Sequence, residues 1–191
     1  MAAVYLRWYE FVMRWIVCIC IMAALGSCNK EEIYFIPGTG TLPDCNEAAV
    51  TNLDGACWFD RGVVTIRSAG CPEAVPDEMF TVCGLGWSFT QTENDVTIIV
   101  DGEYRIEGRF CGNQLSLRGG WWLLVEDAGM CDYQDEESAD EVSIQERNVL
   151  TFIPASPDTG GQAQMMGTLA VQGSCSADYD VVLQPGGSCF F

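Results

Sequence analysis

The sequence contains no histidine, and its nine basic residues, of which Lys30 is the single lysine, are outnumbered by 27 acidic ones. Without histidine, the Ser-His and Cys-His pairs of the commonest hydrolases are excluded, as are the usual zinc and haem ligands. A net charge of −18 repels phosphate backbones, so nucleic acid is not expected as a partner. The composition therefore favours a non-enzymatic protein without a cofactor.

A long apolar run is also missing. The most apolar segment, residues 16–25, is about ten residues long, whereas a helix needs about 20 to cross a bilayer. Arg7 and Arg14 precede this segment, and two small residues follow it. That layout is typical of a secretory signal peptide. Residues 1–27 are therefore predicted to be a cleaved signal peptide, and a retained signal anchor is the alternative.

The end of this segment, Leu25-Gly26-Ser27-Cys28, resembles the lipobox of bacterial lipoproteins. The resemblance implies that the chain is cut before Cys28 and that the sulfur of this residue carries diacylglycerol. Two or three acyl chains hold a protein stably on a membrane, whereas one chain gives only marginal binding. In the family, an aspartate after the cysteine retains some lipoproteins at the inner membrane, so Asn29 favours the outer membrane of a bacterial cell envelope. The alternative is a disulfide at Cys28 after ordinary cleavage.

The eleven cysteines divide into three groups. Cys18 and Cys20 lie in the signal peptide, and Cys28 is assigned to the lipid. An even number remains, which in an exported chain predicts four disulfides whose pairing the sequence does not decide. A metal site is not expected, because the mature chain has no Cys-x-x-Cys spacing and no histidine. The disulfide candidates are Cys45, Cys57, Cys71, Cys83, Cys111, Cys131, Cys175 and Cys189.

The mature chain, with a net charge of −19, divides into a tether and one domain. Residues 28–44 are charged and then rich in turn residues, which predicts a lipid-attached tether, and their segment 33–36 is apolar enough for an accessory strand. Residues 45–191 carry short β-rich runs between turns and no helical periodicity, which predicts a single disulfide-rich, all-β domain. Its antiparallel meander resembles small lipocalin-like barrels in architecture, and a two-sheet sandwich is the alternative.

Two turns set the expected register of a meander within residues 95–123. The second turn, Gly112-Asn113, makes one face of the hairpin apolar and places Glu107 opposite Arg118 on the other face. The opposite charges on one face and the apolar side chains on the other face both support the same register. This hairpin therefore has a firmly predicted pairing.

The first turn, Asp101-Gly102, taken as a two-residue loop, places Thr97 opposite Ile106 on the core side. The other face of that strand is then apolar as well, which predicts either a covering element or a contact surface. Adjacent strand residues face opposite sides, so one residue of a neighbouring Trp-Trp pair is expected to point outward. The candidate contact surface comprises Trp121, Trp122, Val96, Ile98 and Val100, whereas Trp58 and Trp87 are expected in the core.

Carboxylates are the remaining catalytic candidates, because two of them in a cleft hydrolyse glycosidic bonds. Glu103, Glu107, Glu126 and Asp127 lie on or next to predicted strands. In so acidic a chain, solvated surface explains them better. The same explanation applies to the acidic residues 132–141, which lack the spacing and the central glycine of a calcium-binding EF-hand loop.

We therefore expect a lipid-anchored, extracytoplasmic β domain that serves as a binding or envelope-structural module. Its expected partner is the membrane, through the N-terminal lipid, and a protein or glycan partner is compatible with the tryptophans. Two alternatives belong to other classes. One is a lipocalin-like carrier, which predicts an aromatic-lined cavity for a small apolar ligand. The other is a carboxylate-based glycan hydrolase, which predicts two carboxyl groups in one cleft.

Overall fold

The computed structural model describes residues 33–67, 79–82, 84–126, 139–145, 148–173, 175–187 and 189. The chain from Ile33 onward forms one compact unit. The predicted signal peptide, residues 1–27, and Cys28 lie outside the described residues. In the ranges given above, no helix is long and apolar enough to span a membrane.

The described residues form twelve strand segments and one 3-10 turn, at Pro157–Thr159, so the prediction of an all-β domain is confirmed. The segments are β1 (Cys57–Asp60), β2 (Val63–Ile66), β3 (Met79–Val82), β4 (Gly86–Thr92), β5 (Asp95–Val100), β6 (Tyr104–Cys111), β7 (Gln114–Arg118), β8 (Gly120–Glu126), β9 (Ala139–Ile144), β10 (Asn148–Ile153), β11 (Gln164–Gln172) and β12 (Ser176–Pro185).

The twelve segments make eight up-and-down strands, because four of the strands are interrupted. In chain order these are strand A (β1 and β2), strand B (β3 and β4), strand C (β5), strand D (β6), strand E (β7 and β8), strand F (β9 and β10), strand G (β11) and strand H (β12). Each pairs antiparallel with the next, and strand H pairs with strand A. The sheet is therefore a closed barrel and not a two-sheet sandwich.

The barrel narrows from eight strands at one end to six at the other. Strands C and D are short, and the turn between them lies halfway along the barrel. Beyond that turn β3 pairs directly with β8, so that β2, β3, β8, β9, β11 and β12 complete a smaller ring. We call the level of the C–D turn the waist.

The predicted register of the D–E hairpin is confirmed. Phe110 lies opposite Leu115, and Glu107 lies opposite Arg118. Gly112, in the turn, has a φ of 58°, which a glycine adopts without strain. Because side chains alternate along a strand, this register sends the apolar residues into the barrel and the charged ones outward.

The predicted register of the C–D hairpin is wrong by one residue. Ile98, and not Thr97, lies opposite Ile106. The turn does contain two residues of positive φ, Asp101 and Gly102, but Glu103 follows them as an extra bulged residue before the pairing resumes. A slip of one residue moves every side chain of the strand to the other face.

Aromatic rings meet inside the barrel at the eight-stranded end. Trp58 of strand A contacts Phe89 of strand B and Phe152 of strand F edge to face, with ring centroids 6.5 and 6.2 Å apart. Phe152 also contacts Phe110 of strand D at 6.2 Å. Strands A, D and F are not neighbours in the barrel, so these rings meet across its interior.

The N-terminal residues 33–45, which we call the strap, lie along the outer wall of the barrel. Tyr34 pairs with Tyr104 as a single parallel β-bridge, the one pairing found in the segment proposed as an accessory strand. Farther along, Arg109 donates to the carbonyl of Pro43 at 3.1 Å. Most of the segment assigned to the tether therefore runs on the barrel surface.

The next segment, residues 46–56, crosses the eight-stranded end. Its Ala49 N–H donates to Asn94 Oδ1 in the B–C turn at 3.2 Å, and its Val50 N–H donates to the carbonyl of Gly112 in the D–E turn at 2.8 Å. Leu53 is buried in the hydrophobic cluster. The segment thus joins two hairpin turns to the core.

Disulfides fasten both ends of the described chain. Cys45–Cys111 joins the strap to strand D, and Cys57–Cys189 joins the start of strand A to the C-terminal residues. Cys175 is disulfide-bonded as well. Every predicted disulfide cysteine within the described residues is therefore oxidised. The other three, Cys71, Cys83 and Cys131, lie outside them.

Removing either disulfide should destabilise the barrel. We expect the double variants Cys57→Ser/Cys189→Ser and Cys45→Ser/Cys111→Ser each to lose roughly 2 to 5 kcal/mol of unfolding free energy, because each bridge restricts the unfolded chain. The separations are 132 and 66 residues, so the first variant should lose about 0.6 kcal/mol more. Urea unfolding under non-reducing conditions measures both values, and an unchanged midpoint in either variant would contradict the prediction.

Candidate functional site

Four buried side chains meet inside the barrel near the waist. Asp60 ends β1, Trp87 lies in β4, Trp121 in β8 and Tyr179 in β12, and each is fully buried. We call these four residues the waist cluster. Strand alternation points them inward, since each shares its strand face with other core residues.

The rings of the waist cluster contact one another across the barrel. Trp87 and Trp121 meet edge to face with centroids 5.4 Å apart, and Trp121 lies 5.8 Å from Tyr179. These rings come from strands B, E and H. Together with the aromatic group at the eight-stranded end, they pack across the interior at two levels.

Asp60 makes the polar contacts of the cluster. The hydroxyl of Tyr179 donates to Asp60 Oδ2, and the N–H groups of Gly62 and Val182 donate to Asp60 Oδ1 at 2.9 and 3.4 Å. The carboxylate lies where strand A is interrupted between β1 and β2. It thus supplies acceptors at a point where the regular ladder is broken, and a buried carboxylate requires such partners.

Burial raises the pKa of Asp60 from 3.8 to about 6, although the hydrogen bonds from Tyr179 and from the backbone lower it in part. Burial also raises the pKa of Tyr179, and the negative charge of Asp60 adds to that effect. At the waist turn, burial raises the pKa of Asp101, against the opposing hydrogen bond from Gly86. The interior thus holds acidic groups whose charged forms are disfavoured.

Two hydrogen-bond donors of the waist cluster have no acceptor among the described residues. The Nε1 atoms of Trp87 and Trp121 are buried and have no hydrogen-bond partner among the described residues. A buried donor without an acceptor costs about 1 to 3 kcal/mol. The two indole N–H groups are therefore the groups of this site that are available to an acceptor atom of a small ligand or a water molecule.

The predicted contact surface is not found on the outside of the barrel. Val96, Ile98 and Val100 are 3% exposed or less and belong to the core, because the Glu103 bulge turns their side chains inward. Trp121 is also fully buried. The side chain of Trp122 is not among those that the structure describes. The expected core positions of Trp58 and Trp87 are confirmed.

Among the carboxylates proposed for glycan hydrolysis, the two whose side chains are described do not share a cleft. Glu107 is ion-paired with Arg118 on the outer wall, and Glu103 is exposed at the C–D turn. The Glu126 side chain and Asp127 lie outside the description, as do the side chains of residues 132–141. Within the described part of the chain, no three His, Cys, Asp or Glu side chains are grouped closely enough to hold a metal ion.

The sequence patterns did not predict the waist cluster, because its members are far apart along the chain. A local indication existed for Asp60, because it follows Trp58, which was expected in the core, by two residues, and residues two apart on a strand share a face. Tyr179 had no such indication. Its role depends on the closure of strand H on strand A.

Replacing Asp60 should change how stability depends on pH. The native state keeps the Asp60 proton up to about pH 6, whereas the unfolded chain releases it near 3.8. The contribution of Asp60 to stability is therefore fully present below 3.8, and about 3 kcal/mol of it is lost as the pH rises through 6. In Asp60→Asn this loss should disappear. The test compares unfolding free energies of both proteins at about pH 4 and pH 7.

A second variant makes this test specific. Tyr179→Phe removes the donor that lowers the pKa of Asp60, so its loss of stability should shift to higher pH than in the wild type. Parallel pH profiles of the wild type and the Asp60→Asn variant would contradict the assignment.

In comparisons with known proteins, no family model matches the chain, and no significant match was found among the curated proteins or the solved structures. The function must therefore be inferred from the residues of the chain itself.

Proposed function

We propose that the protein is a lipid-anchored, non-enzymatic barrel of the bacterial cell envelope that serves as a structural or binding module. The observation that supports this proposal best is the packing of aromatic rings across the interior at two levels. An eight-stranded barrel is just wide enough for its side chains to fill or to hold one small ligand. A filled barrel offers its outer surface and not its interior to a partner.

Two further observations support the proposed location. Every described disulfide candidate is oxidised, which favours an exported protein, because thiols of cytosolic proteins are usually kept reduced. The lipobox residues that end at Cys28 favour attachment through acyl chains, with the outer membrane as the preferred site. Acyl chains would also hold so acidic a protein on a membrane without any basic surface.

A carrier function is the second candidate, and the unpartnered indole N–H groups of Trp87 and Trp121 favour it. They would donate to an acceptor of a small ligand held at the waist. Native mass spectrometry of the protein extracted from membranes distinguishes the two candidates. If the protein is a structural or binding module, the measured mass should be that of the acylated chain alone. A reproducible added mass that is lost on denaturation would favour the carrier.

The anchor is tested by Cys28→Ala in the full chain expressed in a Gram-negative host. We expect the wild-type N-terminal peptide to begin at an acylated Cys28 and the protein to partition into the membrane fraction. The variant should lose the acyl groups and the processing before residue 28. Mass spectrometry of that peptide is the measurement, and Cys20→Ala, inside the signal peptide, is the matched control. An unmodified Cys28 in the wild type would refute the anchor.

A further inference from the structure

Three consecutive apolar side chains are exposed at the start of the strap. Ile33, Tyr34 and Phe35 are 54, 53 and 46% exposed. The other large apolar side chains found exposed in the described residues are single ones: Val50, Met79 and Met166. The three strap residues are therefore an unusual concentration of apolar surface.

The strap backbone is hydrogen-bonded to the barrel at this point. The Tyr34 N–H donates to the carbonyl of Glu103, and the Arg105 N–H donates to the carbonyl of Tyr34, both at 2.7 Å. The ring of Tyr34 lies 5.8 Å from that of Tyr104. Ile33 and Phe35 fall on the other side of the extended backbone from Tyr34. The exposed side chains are thus presented by an ordered part of the barrel.

The chain length between the lipid site and these residues is short. Residues 29–32 separate Cys28 from Ile33, and a fully extended chain spans at most about 3.6 Å per residue. Ile33 therefore cannot lie more than about 18 Å from the Cα atom of an anchored Cys28. Such a reach keeps the strap close to the headgroup region of the membrane that holds the anchor.

We propose that the segment Ile33 to Phe35 lies in the interfacial region of the lipid bilayer, with the side chains of Ile33 and Phe35 inserted, and forms a second membrane contact beside the acyl chains. This inference rests on the proposed anchor at Cys28. Tyrosine and other amphipathic aromatic residues are favoured at membrane interfaces. The mature chain, with a net charge of −19, has no electrostatic attraction to anionic lipids, so the contact is apolar and suits a zwitterionic surface.

A second protein fits this surface less well. Stable protein interfaces bury about 1,200 to 2,000 Å² in total and involve about 20 to 30 residues on each side. Three half-exposed side chains provide far less. Residues this close to an acylated terminus lie beside the lipid surface, so lipid is the expected partner.

Photo-crosslinking in the intact lipoprotein tests the contact. The full chain is expressed with p-benzoylphenylalanine in place of Phe35, or in place of Val50 as the matched control, and the processed protein is reconstituted in phosphatidylcholine vesicles. Val50 is 60% exposed but lies at the D–E turn, away from the strap bridge. We expect at least about tenfold more lipid adducts at position 35 than at position 50.

The outcomes separate this contact from the anchor. Mass spectrometry of the N-terminal peptide is run on the same sample. Acylated Cys28 with no excess of lipid adducts at position 35, or with adducts there to a second protein chain, would overturn the contact and leave the anchor in place. An unmodified Cys28 would overturn the anchor and the contact that rests on it.

Discussion

Strand H closes the barrel, and the rest of the structure depends on that pairing. It pairs with strand G from Met165↔Leu183 to Gln172↔Ser176 and with both halves of strand A on its other side. Closure leaves no sheet edge between the first and last strands, and it brings residues from the two ends of the domain together. The hydrogen bond from Tyr179 to Asp60 exists because of it.

The closure also explains why strand A is interrupted. At Gly62 the backbone passes so close to strand H that a Cβ atom would lie 1.8 Å from the carbonyl oxygen of Asp180. Only glycine fits this approach. The neighbouring Asp60 carboxylate accepts the Gly62 N–H, so the interruption and the buried acid form one local arrangement.

The sequence predicted the barrel architecture and one of the two hairpin registers, and the other register was wrong. The D–E register followed from Gly112-Asn113 and from charges on the same hairpin. The C–D register failed because the Glu103 bulge is supported by Tyr34, which lies far away in the chain and whose N–H takes the freed carbonyl. Barrel closure, the taper and the waist cluster depend on contacts between distant segments, which turn residues and alternation alone do not specify.

The outer-wall ion pairs contribute to register more than to stability. Arg109 bonds Asp95 at 2.7 Å, and Arg67 bonds Asp178 at 2.8 Å, each pair joining adjacent strands. Exposed pairs of this kind are worth about 0 to 1 kcal/mol. In a chain with so few cations, each of these two pairs links neighbouring strands at one point on the outer wall.

The bond between Cys45 and Cys111 would have a mechanical consequence under the proposed anchor at the N-terminal end. A pull on that end would first load the hydrogen bonds of the strap and would then reach a covalent link to strand D. Tension arriving from the membrane side would thus be carried into the middle of the sheet, and peeling from the terminus would stop before the first strand.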